Sequence, residues 1–385
     1  MANLWEHPQI IAAEALRHLE DALVVTKMCA VDKTSEFTTR SNGWKKGDVV
    51  SFRTHGDYIA KDFSTTIDIQ EIRTSSRPME IEKHIDVSVE VTAREEVLDL
   101  DSFSDQVIQP AAYRLAESVD LYVGSKILQG AGLYTSSSLF QSAADIALAR
   151  KAATIQQLAT QRWCLVDLDL EATLLGQTWF NQSQTRGSDG ETTLRTGQMG
   201  RVMGMEWYSA LTFPVASHTA GDLTASTNNG TNSIQYNQIG MSTLTMDNVT
   251  ASGSVEIGDR ILIAGVRRPL IAKTAIADTT SSTEVELVDP ITEIIPDDAA
   301  ITTKAAGATY DYHGAIFDDR SLAVAFPMLD MPQDKVTGVA SNNGVSVRVV
   351  KGYDMSTKTT TLSLDLLCGA FAFDPRRITL VADTQ

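Results

Sequence analysis

Three runs of apolar and polar residues in alternation follow one another in this chain: DVVSFRTH from Asp48, STTIDIQEI from Ser64 and MEIEKHIDVSVEV from Met79. A period of two sends successive side chains to opposite faces, so each run reads as a strand with one wet face. The runs are long and poorly placed to bury a core by themselves. Residues 48–95 are therefore expected to form an extended β-arm reaching away from its own domain, with open edges that a partner must cover.

Helical periodicity flanks this stretch. From Pro8 to Val25, Ile11, Ala15, Leu19 and Ala22 recur at helical spacing, widened by Leu16 and Leu23, and Pro8 suits a first turn. That face has no obvious home in the sheet domain, so the helix is expected to move, or to dock on a neighbour or on a separate partner protein. From Ser102 to about Gln129 a second helix is expected, with Ser102 and Asp105 in capping-box spacing and a stripe of Ile108, Ala112, Leu115, Val119 and Tyr122. Pro110 should bend it. Ser142 can cap a further helix to about Thr160, and CLVDLDLEATLL from Cys164 reads as the strand after it.

Composition shifts at about Ala216. Up to Thr309 the chain is rich in Thr, Ser, Asn and Gly, with short strands in SVEIGDRILIAGV, TEVELVD and AITTKAA separated by turn signals. A small β-barrel or sandwich inserted into a larger domain is expected here. Beyond it, RSLAVAFPMLDM, VSVRVVKGYDM and TTTLSLDLLCGAFAFDP return to a longer-stranded style. The insertion thus splits its parent domain in an α+β chain of 385 residues, more than the ~100 to 200 of a usual single domain.

The chemistry-bearing residues point away from catalysis. No GxxxxGK[ST], HExxH, GxSxG or CxxC motif occurs. Gly197, Gly200 and Gly204 lack nucleotide-loop spacing and read as backbone bends. Asp167, Asp169 and Glu171 alternate on the expected strand; three carboxylates on one face could hold a cation or form a glycosidase pair, but a solvated strand face is the simpler account. Asp297–Asp298 and Asp318–Asp319 read as polar turns, and the six histidines, His55 and His84 on the arm among them, make no triad. Cys29, Cys164 and Cys368 are too far apart for a zinc site and are expected to be reduced and buried. A net charge of −17 disfavours a sequence-specific DNA reader. No apolar run approaches the ~20 residues of a membrane span, and residues 1–23 show no signal-peptide pattern, so a soluble protein made in the cytoplasm is expected.

Four segments, in order, carry a family resemblance: IQPAAYRLAESVDLYVGSKIL (Ile108 to Leu128), RTGQMGRVMGMEWYSALTFPV (Arg195 to Val215), EIGDRILIAGV (Glu256 to Val266), and the closing pair VSVRVVKGYD and LDLLCGAFAFDPRRITLV. They resemble the spine helix, the glycine-punctuated loop and strand of the axial domain, the hairpin of the inserted domain, and the closing strands of the peripheral domain in coat proteins of short-tailed phages of the type infecting Salmonella. Those proteins have the HK97 capsid fold with an inserted β-domain.

The resemblance implies an N-terminal arm and helix (1–47), an extended β-arm (48–95), a spine helix with axial and peripheral domain (96–215), an inserted β-barrel (216–312) and a return to the parent domain (313–385). It implies a non-enzymatic subunit without cofactor or metal. Such a subunit assembles in the host cytoplasm into pentamers and hexamers of a virion shell around double-stranded DNA. Its partners would be copies of itself, a separate scaffolding protein, a portal protein, packaged DNA through sequence-independent contact and, where one exists, a decoration protein. Arg53, Lys61, Asp62, Glu71 and Arg73 on the arm, and Asn228, Asn229 and Asn232 at the barrel's polar hairpin tip, are the expected intersubunit contacts. Arg17, Lys27, Lys33 and Arg40 are candidates to face DNA. Two rivals remain: a β-rich tail or tube protein, and a hydrolase using the Asp167, Asp169 and Glu171 strand.

Overall fold

A computed structural model describes residues 8–28, 31–35, 49–53, 62, 76–92, 104–156, 161–181, 192–193, 195–228, 236–247, 253–279, 284–331 and 336–384. The chain divides into two units, one drawn from 1–51, 78–126 and 322–372, the other from 52–77, 127–321 and 373–385.

Helix α1 (Pro8–Ala22) is followed by strands β1 (Val31–Asp32), β2 (Val49–Arg53), β3 (Ser76–Glu80) and β4 (Lys83–Thr92). Helix α2 (Gln109–Ile127) leads to β5 (Gly132–Ser136), α3 (Ala143–Ile155), β6 (Trp163–Val166), α4 (Leu168–Gly176) and α5 (Thr178–Asn181). Next come β7 (Arg201–Val202), β8 (Met205–Ser209), β9 (Ser217–Thr219), β10 (Thr224–Thr227) and β11 (Thr243–Asp247). Then follow β12 (Arg260–Ile263), β13 (Leu270–Ile271), β14 (Glu284–Glu286), β15 (Ala300–Thr303) and β16 (Thr309–Phe317). The chain closes with β17 (Leu322–Ala325), β18 (Val336–Asn342), β19 (Val345–Asp354), β20 (Thr359–Ala372) and β21 (Ile378–Thr384).

The first unit is an open sheet in the order β1-β17-β20-β19-β18, with β4 also paired to β20. Here the arm expectation is corrected. β4 does not reach away; it runs antiparallel to β20 from Lys83 opposite Cys368 to Thr92 opposite Thr359. Alternation specifies a half-covered strand and is silent on whose sheet it joins, so the pattern suited either placement. α1 is corrected too: its face of Ile11, Ala12, Ala15, Leu16 and Leu19 is buried, and the helix packs on β18 and β19 of its own unit.

Helix α2 and the turn before it bury the expected stripe, Ile108, Ala112, Leu115, Val119 and Tyr122. Its start differs from expectation. A π-helical turn, Ser104–Ile108, precedes α2, and Pro110 is the second residue of the α-helical segment. The ring that cannot donate a backbone hydrogen bond thus sits where helical hydrogen bonding changes period. The expected cap at Ser102 lies outside the described residues.

The second unit carries a mixed sheet in the order β5-β21-β16-β6-β8-β7, with β9 on β16. Its core joins Phe140, Ile146, Cys164, Leu174, Phe180, Met205 and Trp207. The stretch 96–215 does not stay in one unit, because the chain leaving α2 enters β5, which pairs in parallel with β21. The closing segment 364–381 is divided as well: β20 belongs to the first unit and β21 to the second. Between them Asp374 accepts from the Arg376 N–H and Pro375 opens a short 3₁₀ turn, which ends one strand before the next begins.

The same unit holds a six-stranded sheet, β13-β12-β15-β10-β11-β14, whose strands all come from Thr224–Thr303. It closes on itself. Ala272 bridges Leu287, the Lys273 N–H donates to Glu286 O at 2.8 Å, and the Val288 N–H donates to Ile271 O at 3.0 Å. The first and last strands are thereby joined, and Leu223, Leu244, Val255, Ile261, Val285 and Ile301 fill the interior.

Candidate interaction surfaces

β2 and β3 pair with each other and, among the described residues, with no other strand. Val50 and Met79 are buried, whereas Val49, Ser51 and Arg53 are exposed. Arg77, also on β3, is ion-paired with Asp289 of the barrel. Of the residues expected on the arm, Arg53 and Asp62 are solvent-exposed, and Lys61, Glu71 and Arg73 lie outside the described residues. No interaction joins Arg53 to Asp62 among the contacts described.

Asn228 follows β10 at the base of the expected hairpin tip, while Asn229 and Asn232 lie outside the described residues. Its N–H donates to Thr245 O at 3.2 Å, and its carbonyl accepts from Asn237 Nδ2 at 2.9 Å. Asn237 was not singled out in the sequence. Buried at φ +55°, it also donates to Thr245 O and accepts from the Thr245 N–H at 2.7 Å, fixing the return of the chain into β11. An Asn before a strand is the kind of residue that tolerates left-handed backbone, the one signal that could have marked it.

The acidic stretch after Cys164 is not a strand face. Only Trp163–Val166 is extended; Asp167 caps α4, accepting from the Leu170 N–H at 2.8 Å, and Asp169 and Glu171 occupy the first turn. Acidic residues there complement the partial positive charge of a helix N-terminus. Asp167 also bonds His313 Nδ1 at 2.7 Å, which, with the nearby Asp383 and Asp311 charges, raises the imidazole pKa above its ordinary value. The three carboxylates therefore do not share a strand face: Asp167 is engaged by the cap and by His313, and Asp169 and Glu171 follow it on the helix. Among the described residues no group of three or more His, Cys, Asp or Glu side chains could hold a metal ion.

Other polar residues are similarly engaged. Asp318 opens the expected polar turn, its carbonyl accepting from the Ser321 N–H, and its carboxylate is buried and paired with Arg377 at 2.9 Å. Cys164 and Cys368 are buried and unpaired, and burial pushes both thiols up, so they stay protonated; Cys29 lies outside the described residues. Gly197, Gly200 and Gly204 all have positive φ, as backbone bends require. His84 bonds Asp365 at 3.0 Å, and Arg348 holds the same carboxylate; His55 and Arg40 lie outside the described residues.

Two buried polar groups, whose partners no local pattern names, organise their units. Asp120 on α2 accepts from the N–H groups of Val24, Val25 and Thr26 and from the Thr26 hydroxyl, at 2.7 to 3.2 Å. Arg260 on β12 donates to Tyr312 Oη at 2.8 Å and to the carbonyls of Leu128 and Gly130, tying the barrel to the turn before β5. A cavity of about 360 Å³ in the first unit is lined by Glu20, Asp21, Lys27, Asp32 and Phe326. Two of its carboxylates also serve the fold: Glu20 accepts from Asn342 and Asp32 from the Thr34 N–H.

No protein-family model matches the sequence, and no curated protein does. Solved structures similar to the chain include the capsid of native GTA particle computed with C5 symmetry, at 8% identity over 94% of this chain and 90% of that one, TM-score 0.49. Another is the capsid structure of the cyanophage P-SCSP1u, at 12% identity over 93% and 88%, TM-score 0.48. A third is the virus-like particle from Pyrococcus furiosus, at 10% identity over 96% and 97%, TM-score 0.42.

Proposed function

We propose that this chain is the repeating subunit of an icosahedral phage capsid, built on an HK97-type fold with the closed barrel as its inserted domain. The observation that carries the reading is the β2–β3 pair, two strands that hydrogen-bond to no further strand among the described residues, held to the rest of the chain by buried Val50 and Met79 and by the Arg77–Asp289 ion pair. An isolated two-stranded ribbon is marginal in water, and an open edge invites another chain, so such an element serves a subunit that meets copies of itself. The order of parts supports the same reading: β-ribbon, long helix, α/β sheet, barrel, then return strands.

In this reading Arg53, Lys61, Asp62, Glu71 and Arg73 exchange ion pairs with the neighbouring subunit of a capsomer, and Asn228, Asn229 and Asn232 face the next capsomer. Assembly uses a separate scaffolding protein. The acidic subunit encloses double-stranded DNA by confinement and local phosphate attraction, without reading its sequence.

The test is electron microscopy of the protein expressed alone and with a candidate scaffolding protein, sized first by sedimentation. Closed shells tens of nanometres across are the expected result, and Arg53→Glu should reduce their yield without unfolding the subunit. Tubes would favour the tail reading, and a species that stays small under every condition would overturn both.

A further inference from the structure

We infer that the N-terminus of α1 is a built-in guard over the exposed edge of β18, withholding that strand from pairing with a strand of a second copy of this chain. β18 ends the order of its sheet, so it has β19 on one side and, among the described residues, no strand on the other. In an antiparallel pair alternate residues turn both backbone groups away from the partner strand. Val339, opposite Arg348, is one of them: its N–H and C=O are both taken by a side chain from elsewhere.

That side chain is Gln9. Its Nε2 donates to Val339 O at 2.6 Å, and its Oε1 accepts from the Val339 N–H at 3.2 Å. The primary amide thus presents one donor and one acceptor to the edge, as a residue of an added strand would, yet it offers no continuing backbone on which a ladder could grow. The neighbouring residue fits the same purpose. Gly338 lies so close to the Pro8 carbonyl and the Gln9 nitrogen that even a Cβ there would collide with backbone. The absence of a side chain at position 338 lets the helix end lie directly on the strand.

The guard is held from its far end. α1 is anchored by its buried face on β18 and β19, and the chain leaving it is bound by Asp120 through Val24, Val25 and Thr26. Displacing α1 would therefore uncover Val339 and, by the period of two, the outward groups of Thr337 and Ser341. Long edges without such cover are sites of chain-to-chain pairing.

Gln9 is itself solvent-exposed, so Gln9→Ala removes the amide with little risk to folding. The full chain carrying Gln9→Ala is compared with the unaltered protein by amide hydrogen exchange over residues 336–342 and by sedimentation velocity across a concentration series. The expected result is exchange at Val339 faster by roughly fivefold, the effect of losing hydrogen bonds worth ~1 kcal/mol net, together with increased self-association. Gly338→Ala, which pushes Pro8 off the strand, should change both readouts in the same direction. Unchanged exchange would show that Gln9 does not hold the edge, and faster exchange without added self-association would show that the edge needs no guard; either overturns the inference. The exchange readout does not depend on shell formation, so its failure is separable from failure of the capsid reading.

Discussion

The barrel of Thr224–Thr303 and the open sheet around β20 handle strand edges in opposite ways. The barrel joins its ends through Ala272 and Leu287, so each strand has two neighbours and its apolar interior is supplied by its own strands and turns. Among the described residues the open sheet stops at β18, and that side is covered by helix α1, from early in the sequence. A closed sheet is stable by its own register, whereas an open one depends on whatever covers it, and such a cover can be lost separately. The open sheet is thus where local opening should begin.

The largest test of that contrast compares two buried carboxylates. Asp120 collects the donors of Val24 to Thr26; in the second unit Asp259 accepts from the Gly221 and Glu256 N–H groups and bonds His218 Nε2 at 2.8 Å. Either change to Ala strands buried backbone donors at ~1 to 3 kcal/mol each, so a loss of roughly 3 to 5 kcal/mol is expected for both. The manner of the loss should differ. Asp120→Ala should let the amides of α1 exchange well before those of β20, while Asp259→Ala should lower the barrel as one cooperative unit, both read by hydrogen exchange in increasing urea. Loss of α1 and β20 protection together in Asp120→Ala would end the idea of a separable cover.

The sequence announces some of this and conceals the rest for physical reasons. The stripe from Ile108 to Tyr122 was readable because one helix face is buried along its length, and the strand-rich character of the barrel stretch because short strands alternate with turn signals in a segment rich in Thr, Ser, Asn and Gly. Leu168 to Leu175 misled because apolar and acidic residues alternate there with both periods; Asp167 as cap, with acids in the first turn, was the stronger signal. β4 misled because alternation fixes a face without naming a neighbour. The polar contacts were least legible. Gln9 meets a residue 330 positions away and Asp120 meets donors more than 90 positions away, so no local pattern records either pairing.

A smaller effect should appear with pH in the α/β sheet of the second unit. His313 on β16 has its pKa raised from 6.5, first by its hydrogen bond to Asp167, then by that charge and those of Asp383 and Asp311, against partial desolvation. A histidine whose folded pKa exceeds its unfolded value adds stability that is complete below the unfolded pKa and is lost as pH rises through the folded one. Melting temperature should therefore decline from about pH 6.5 upward over that window, and His313→Gln should flatten the decline. A slope unaffected by His313→Gln would assign the dependence to another group.

The smallest expected effect lies at the barrel's closure. Lys273 and Glu286 face each other across the joined strands at 3.4 Å, with side chains 63% and 54% exposed. Water and salt screen a pair so placed, and fixing two long side chains costs entropy, so Lys273→Ala should shift barrel stability by less than ~0.5 kcal/mol in urea unfolding followed by exchange of the β12 and β15 amides. The substitution keeps the Lys273 N–H bond to Glu286 O and leaves Ala272 and Leu287 buried. If closure is a property of backbone pairing and apolar packing, those groups suffice. A loss above ~1 kcal/mol would instead mean that the barrel, like the open sheet, rests on a side-chain contact at its margin, and the two sheets would no longer differ in kind.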